Sequence, residues 1–161
     1  MASNGCKFKQ VTSHQTKSLS FHPTRSWILI GLINGGVEIW DYTTSSLIQS
    51  YHDSQGPVRS VQWHPTQPIF VTCSDDQEIR IYNYQTQRIV FELSGHLDYI
   101  RSVAFHHEQP WLLTSSDDET ARLWNWQSRQ CICILLGHTY NVTTESFHPT
   151  LTLIINASLD K

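Results

Sequence analysis

The stretch GHLDYIRSVAFHHEQPWLLTSSDDETARLWNW, residues 95–126, decides the fold because its marks recur at one fixed distance along the chain. Phe21-His22-Pro23, Trp63-His64-Pro65, Phe105-His106-His107 and Phe147-His148-Pro149 begin at 21, 63, 105 and 147, a period of 42. Trp40-Asp41-Tyr42, Tyr82-Asn83-Tyr84 and Trp124-Asn125-Trp126 keep that spacing. So do Asp76, Asp118 and Asp160, and the pairs Gly95-His96 and Gly137-His138. A fixed period of about 20–50 residues is the signature of a repeat architecture, in which each unit buries its apolar face only against its neighbours.

Within one unit, short β-type runs alternate with turn residues, and no helical period appears. In the second unit strands are predicted near Val58–Trp63, Pro68–Ser74, Glu78–Tyr84 and Arg88–Ser94, with breaks at His64-Pro65-Thr66, Asp75-Asp76-Gln77 and Gln85-Thr86. Ile69-Phe70-Val71 is a continuous apolar run, as a strand covered on both faces requires, whereas Ile79 and Ile81 alternate with Arg80 and Tyr82. Four strands per unit make one propeller blade. A unit of 42 residues with Gly-His near its start and Trp-Asp or Trp-Asn near its end resembles the WD-repeat family. The expected fold is therefore all-β: a WD40-type β-propeller, incomplete, with about three and a half four-stranded blades. Residues 1–15 form an N-terminal segment and 16–161 the partial propeller, in units near 16–57, 58–99, 100–141 and 142–161. A truncated ring with an open arc is the expectation.

Composition agrees with a folded chain and names no partner. Of 161 residues 16% are charged and 11% aromatic, which argues against disorder, and a net charge of −3 gives no field that would draw nucleic acid. Four cysteines, Cys6, Cys73, Cys131 and Cys133, are too few and irregular for a secreted disulfide framework and point to a reducing compartment. The N-terminus has no signal-peptide core and no apolar run reaches membrane-span length, so a cytoplasmic chain without a transmembrane span is expected. Asn141-Val142-Thr143 and Asn156-Ala157-Ser158 match glycosylation sequons, read as chance matches without an export signal.

The WD-repeat resemblance implies a hydrogen-bonded set of His96, Thr114, Asp118 and Trp124 tying one blade together, with Thr72 and Asp76 its survivors in the second unit and His138 and Asp160 in the fourth. A buried His and Asp are tolerable only as each other's partners. In the second unit Ser54 stands where His is expected and Tyr82 replaces Trp, so a thinner network is expected there; Asn34 replaces Asp in the first unit.

A closer resemblance rests on longer stretches. Ser20-Phe21-His22-Pro23 followed by Trp27-Ile28-Leu29, then Gly56-Pro57-Val58-Arg59, Gly95-His96-Leu97-Asp98-Tyr99-Ile100-Arg101 and Trp124-Asn125-Trp126-Gln127-Ser128-Arg129 resemble the N-terminal propeller of the coatomer alpha subunit. That family implies a module of the COPI vesicle coat in Golgi-to-ER and intra-Golgi transport. It recognises C-terminal dilysine retrieval signals on membrane cargo, with no cofactor and with other coatomer subunits as partners. Carried over residue by residue, Lys17 and Arg59 would meet the terminal carboxylate, and Asp75, Tyr99 and Asp117 the lysines. The chain departs from the family pattern at Gln15, Ile33 and Asn141, with Tyr140 displaced by one, which keeps open the alternative of a truncated scaffold fragment that binds partners but no cargo.

Plainer readings cover the remaining marks. His22, His64, His106 and His148 recur once per blade, so they are expected as structural residues at strand ends and not as converging metal ligands. Cys131 and Cys133, two apart on a strand, are expected to pack in the core, and Cys6 to lie in a loose terminus. Asp75-Asp76 and Asp117-Asp118 sit on turns and do not face one another as a catalytic pair must. No phosphate loop, nucleophile elbow or Cys/His pairing is present, so no enzyme is expected.

Overall fold

The computed structural model describes residues 14–160; Cys6 and most of the 1–15 segment lie outside the described residues. Fourteen strands are found among them, in four antiparallel sheets with no helix. The first sheet holds β1 (Thr16–Phe21), β2 (Trp27–Leu32), β3 (Val37–Asp41) and β4 (Ser46–Tyr51), paired in chain order. The second holds β5 (Val58–Trp63), β6 (Ile69–Ser74), β7 (Glu78–Asn83) and β8 (Arg88–Ser94). The third holds β9 (Ile100–Phe105), β10 (Trp111–Ser116), β11 (Ala121–Asn125) and β12 (Gln130–Leu135); β13 (Val142–Phe147) and β14 (Ile154–Ser158) make the two-stranded fourth. The innermost strands β1, β5, β9 and β13 lie side by side, each against the next. The sheets thus fan out as the blades of an open, incomplete propeller, which matches the expected fold class.

The repeated marks are the punctuation of these blades. In the turn after each inner strand, the Nδ1 of His22, His64, His106 and His148 accepts two backbone N–H groups, as His64 does from Thr66 and Gln67 at 3.2 and 3.0 Å. At the end of each third strand Asp41, Asn83 and Asn125 take two amides in the same manner, for example Asn125 from Gln127 and Ser128 at 3.0 Å each. Short polar side chains hold turns this way because they imitate a backbone acceptor. The turn between second and third strands needs a left-handed residue, supplied by Gly35 at φ 85° in the first blade but by Gln77 and Glu119 at 69° and 67° in the next two.

Apolar side chains fill the seams between blades. Leu29, Val37 and Ile39 of the first blade meet Val58, Val61, Trp63, Phe70 and Tyr82 of the second, closed by Tyr51. Val71, Cys73, Ile79, Ile81 and Leu93 of the second meet Ile100, Val103, Phe105 and Trp124 of the third. Among the described residues no comparable cluster spans the third and fourth blades. Cys131 and Cys133 do not pack in the core, contrary to expectation: both are exposed on β12. Their equivalents on β8 are half-buried: Ile89 packs against the cluster between the first and second blades and Phe91 against the cluster between the second and third. No helix among the described residues is long and apolar enough to cross a membrane, which says nothing of membrane-spanning strands.

Candidate functional site

One end of the arc collects the side chains that the resemblance singles out, and a repeated backbone irregularity puts them there. Each inner strand carries a β-bulge two residues into its pairing with the second strand, at Lys17, Arg59, Arg101 and Thr143. A bulge re-aims the extra side chain away from the regular alternation. Facing each bulge is the first residue after the second strand: Ile33, Asp75, Asp117 and Leu159. Their amides donate to the carbonyls of Gln15, Pro57, Tyr99 and Asn141 at 2.9, 3.0, 2.9 and 3.1 Å. Every blade therefore presents the same three-residue corner, and the side chains on it decide the chemistry.

In the second blade the corner is an ion pair. Arg59 Nε and Nη2 donate to Asp75 Oδ1 and Oδ2 at 2.7 and 2.6 Å, and the carboxylate is a tenth exposed against a quarter for the guanidinium. In the third blade Arg101 grips Asp117 the same way, Nε to Oδ1 at 2.7 Å and Nη2 to Oδ2. Such two-pronged, charge-assisted contacts are the stronger kind of surface ion pair. The hydrogen bond from each guanidinium to its aspartate raises the pKa of Arg59 and of Arg101, and each arginine also feels the carboxylate of the adjoining blade. The two pairs thus form one alternating row of charge across the blade boundary. Tyr99 is exposed beside them, with the Arg101 guanidinium carbon 5.8 Å from its ring centre.

The first blade differs. Ile33 takes the place of the aspartate, so Lys17 is an exposed cation with no ion-pair partner among the described residues. The fourth differs again, with Thr143 and Leu159 at the two positions. Lys17, Arg59, Asp75, Tyr99 and Asp117 consequently share one end of the arc. Arg101 is not in the set carried over from the resemblance; its signal in the sequence is its place 42 residues after Arg59, beside an equivalent aspartate.

Behind this face lies the bonded set of each blade. In the third blade Trp124 Nε1 donates to Thr114 Oγ1 at 2.9 Å, Thr114 lies 2.7 Å from His96 Nε2, and His96 Nδ1 lies 2.8 Å from Asp118 Oδ2. The directions follow from the ends. The indole can only donate and the carboxylate only accept, so Thr114 donates to His96 and the imidazole proton sits on Nδ1. Burial alone would raise the Asp118 carboxyl, but bonds from His96, Thr120 and the Leu97 amide hold it well below its usual range.

The second blade is rewired and not thinner as expected. Arg80, buried on β7, reaches Asp76 at 2.8 Å and Ser54 at 3.3 Å, doing what His96 does one blade later, and also binds Glu92 at 2.8 Å. Tyr82 donates to Asp53 at 3.2 Å, and the buried Thr72 hydroxyl is left without a hydrogen-bond partner. In the first blade Trp40 Nε1 turns to Glu38 at 2.7 Å, and Asn34 accepts from Gly36 at 3.1 Å. In the fourth, His138 stands 2.8 Å from both Asp160 and the Asn156 carbonyl oxygen. With an acceptor on each side, the bond to Asn156 first and then Asp160 raise its pKa.

Comparison with known proteins bears on the repeat. The WD domain, G-beta repeat family matches at residues 45–83 and 87–125. Coatomer subunit beta'-1 of Oryza sativa subsp. japonica is 46% identical over 54 residues, 34% of this chain and 6% of that protein. The probable coatomer subunit beta' of Caenorhabditis elegans is 40% identical over 48 residues, 30% of this chain and 5% of that protein. Coatomer subunit alpha-2 of Arabidopsis thaliana is 51% identical over 44 residues, 27% of this chain and 4% of that protein. The chain thus aligns with about a twentieth of the length of these relatives, and it is similar to their WD repeats.

Proposed function

We propose that this WD-repeat chain is a non-catalytic recognition module of a COPI vesicle coat, reading the C-terminal dilysine retrieval signals of membrane cargo. On this reading it works in the cytoplasm, peripheral to Golgi membranes and COPI-coated vesicles, with other coatomer subunits as assembly partners. The observation that carries the reading is the polarity of one row of corners, which begins on cations and closes on a carboxylate with the two ion pairs between. Lys17 and Arg59 are adjacent cations with no carboxylate between them, because Ile33 replaces one. Beyond Arg59 the row ends on Asp117, whose next corner offers Thr143 and no cation. A tail bearing two ammonium groups and a terminal carboxylate needs both signs in that order.

The ligand must compete with ion pairs already made. Its lysines approach Asp75 and Asp117 while these remain gripped by Arg59 and Arg101, so each new contact adds to a shared carboxylate and does not neutralise a bare one. A weak, salt-sensitive and reversible contact follows. The test is titration of the full chain with a peptide ending in Lys-Lys-x-x, followed by calorimetry. Amidation of the peptide terminus and Lys17→Ala should each weaken binding about tenfold, the equivalent of one charge-assisted hydrogen bond. Asp117→Ala should weaken it at least as much. Equal affinity for the amidated peptide would sink the reading.

A second reading draws on those same ion pairs. If Arg59–Asp75 and Arg101–Asp117 serve only to fasten the corners, the chain is a scaffold element for protein partners and shows no response to the peptide, while Asp117→Ala lowers stability alone.

A further inference from the structure

The seam between the third and fourth blades departs from the repeat at one buried group. Position 145 on β13 corresponds to Val103 and Val61, 42 and 84 residues earlier, each 4% exposed and packed on the preceding blade. Here it is Glu145, 7% exposed, with no hydrogen-bond partner for either carboxylate oxygen. The surface it meets has changed with it: Ser115 and Ala121 of the third blade occupy the places of Cys73 and Ile79 of the second. The buried Ser115 hydroxyl is also without a partner.

We propose that this seam is a proton-operated joint: Glu145 docks β13–β14 on the third blade when protonated and loosens them when it ionises. The groups around it favour that behaviour. Ser102 on β9 and Ser115 on β10 lie close without reaching hydrogen-bonding geometry, Cys73 on β6 faces it from further off, and Asn156 stands opposite it on β14. No positive charge from these elements acts on it. An ionised carboxylate in such a place faces two hydroxyls and no positive charge, so burial penalises it more than the neutral acid.

Burial pushes the Glu145 carboxyl up to about 7, and the nearby Ser115 and Ser102 hydroxyls only partly offset this. The folded chain then holds a proton that the unfolded chain has already released. Docking is strongest below the ordinary carboxylate range, weakens as pH rises from there to about 7, and is level above. His138 on the same half-sheet acts in the same direction, since its raised pKa means a bond lost as pH rises past its ordinary value. The experiment must separate the two.

Amide hydrogen exchange on the full chain, read as protection of β13–β14 relative to β5–β8 in the same sample, does so. Between pH 5.5 and pH 8 this ratio should fall at least tenfold in the wild type and by much less in Glu145→Gln, where only the His138 contribution remains. Glu145→Val, which installs the residue of the other blades, keeps the test available if the glutamine variant does not fold. Carboxyl-detected NMR of Glu145 should give a midpoint near neutrality. A midpoint in the ordinary carboxylate range overturns the proposal, and so does a pH response of undiminished size in both variants, which would assign the effect to His138.

Discussion

The joints before and after the third blade are built on the same backbone plan and held by opposite means. Before it, Val71, Cys73, Ile79 and Ile81 close on Ile100, Val103 and Phe105 in one dry cluster. After it, β13 packs on β10, Leu113, Ser115, Ala121 and Leu123 stand at the places of the first four residues and Val142, Glu145 and Phe147 at those of the last three, and no continuous cluster forms among the described residues. A repeat protein is stable roughly as the sum of its unit and seam terms. Two seams of equal geometry can therefore differ by several kcal/mol while every strand stays in register.

That contrast can be broken from either side. The largest effect is expected for Val103→Glu, which copies the polar seam into the apolar one. Losing the buried valine and burying a carboxyl together should cost roughly 3 kcal/mol or more, seen as a lower urea midpoint at constant slope. Thr114→Val comes next. It strands His96 Nε2 and Trp124 Nε1 in the third blade and should cost about 2–3 kcal/mol, while Thr72→Val in the second blade, where the hydroxyl has no partner, should be near neutral. Equal costs for the two threonines would refute the rewiring of the second blade. The reverse exchange at the polar seam, Glu145→Val, should gain about 1–2 kcal/mol at pH 8 and less at pH 5.5, because the wild-type group recovers its proton on acidification. The smallest effect is expected for Glu119→Gly, which relieves a left-handed residue at a turn where the first blade already uses Gly35; about 0.5 kcal/mol should appear in thermal melts.

Much of the fold could be read directly from the period. Strands expected at Pro68–Ser74 and Glu78–Tyr84 are Ile69–Ser74 and Glu78–Asn83, because turn residues and apolar runs recur in strict register and each blade repeats the same hydrogen-bond punctuation. The candidate site was less legible. Residue types placed Arg59 and Asp75 in one blade, but their contact depends on a bulge, and a bulge leaves no mark in an alternating pattern. The role of Arg80 was not legible for a related reason. A long side chain can reach a partner's place from a neighbouring strand, so the absence of a histidine at Ser54 did not mean an absent bond. The exposure of Cys131 and Cys133 was not legible either, because a spacing along a strand does not state what covers it. Glu145 could have been found by laying the units over one another, since it is the polar member of an otherwise aliphatic column.

The recurrence of the bulge on β1, β5, β9 and β13 has a consequence for how such a face changes over time. Because the backbone corner is closed by main-chain bonds in every blade, its closure does not depend on which side chains it carries. Each corner can be rewritten alone, as Lys17 with Ile33, Arg59 with Asp75, Arg101 with Asp117 and Thr143 with Leu159 already are. The face then behaves as a row of sockets on a fixed frame, in which an exchange at one leaves the backbone of its neighbours as it was and reaches them only through the charge they share.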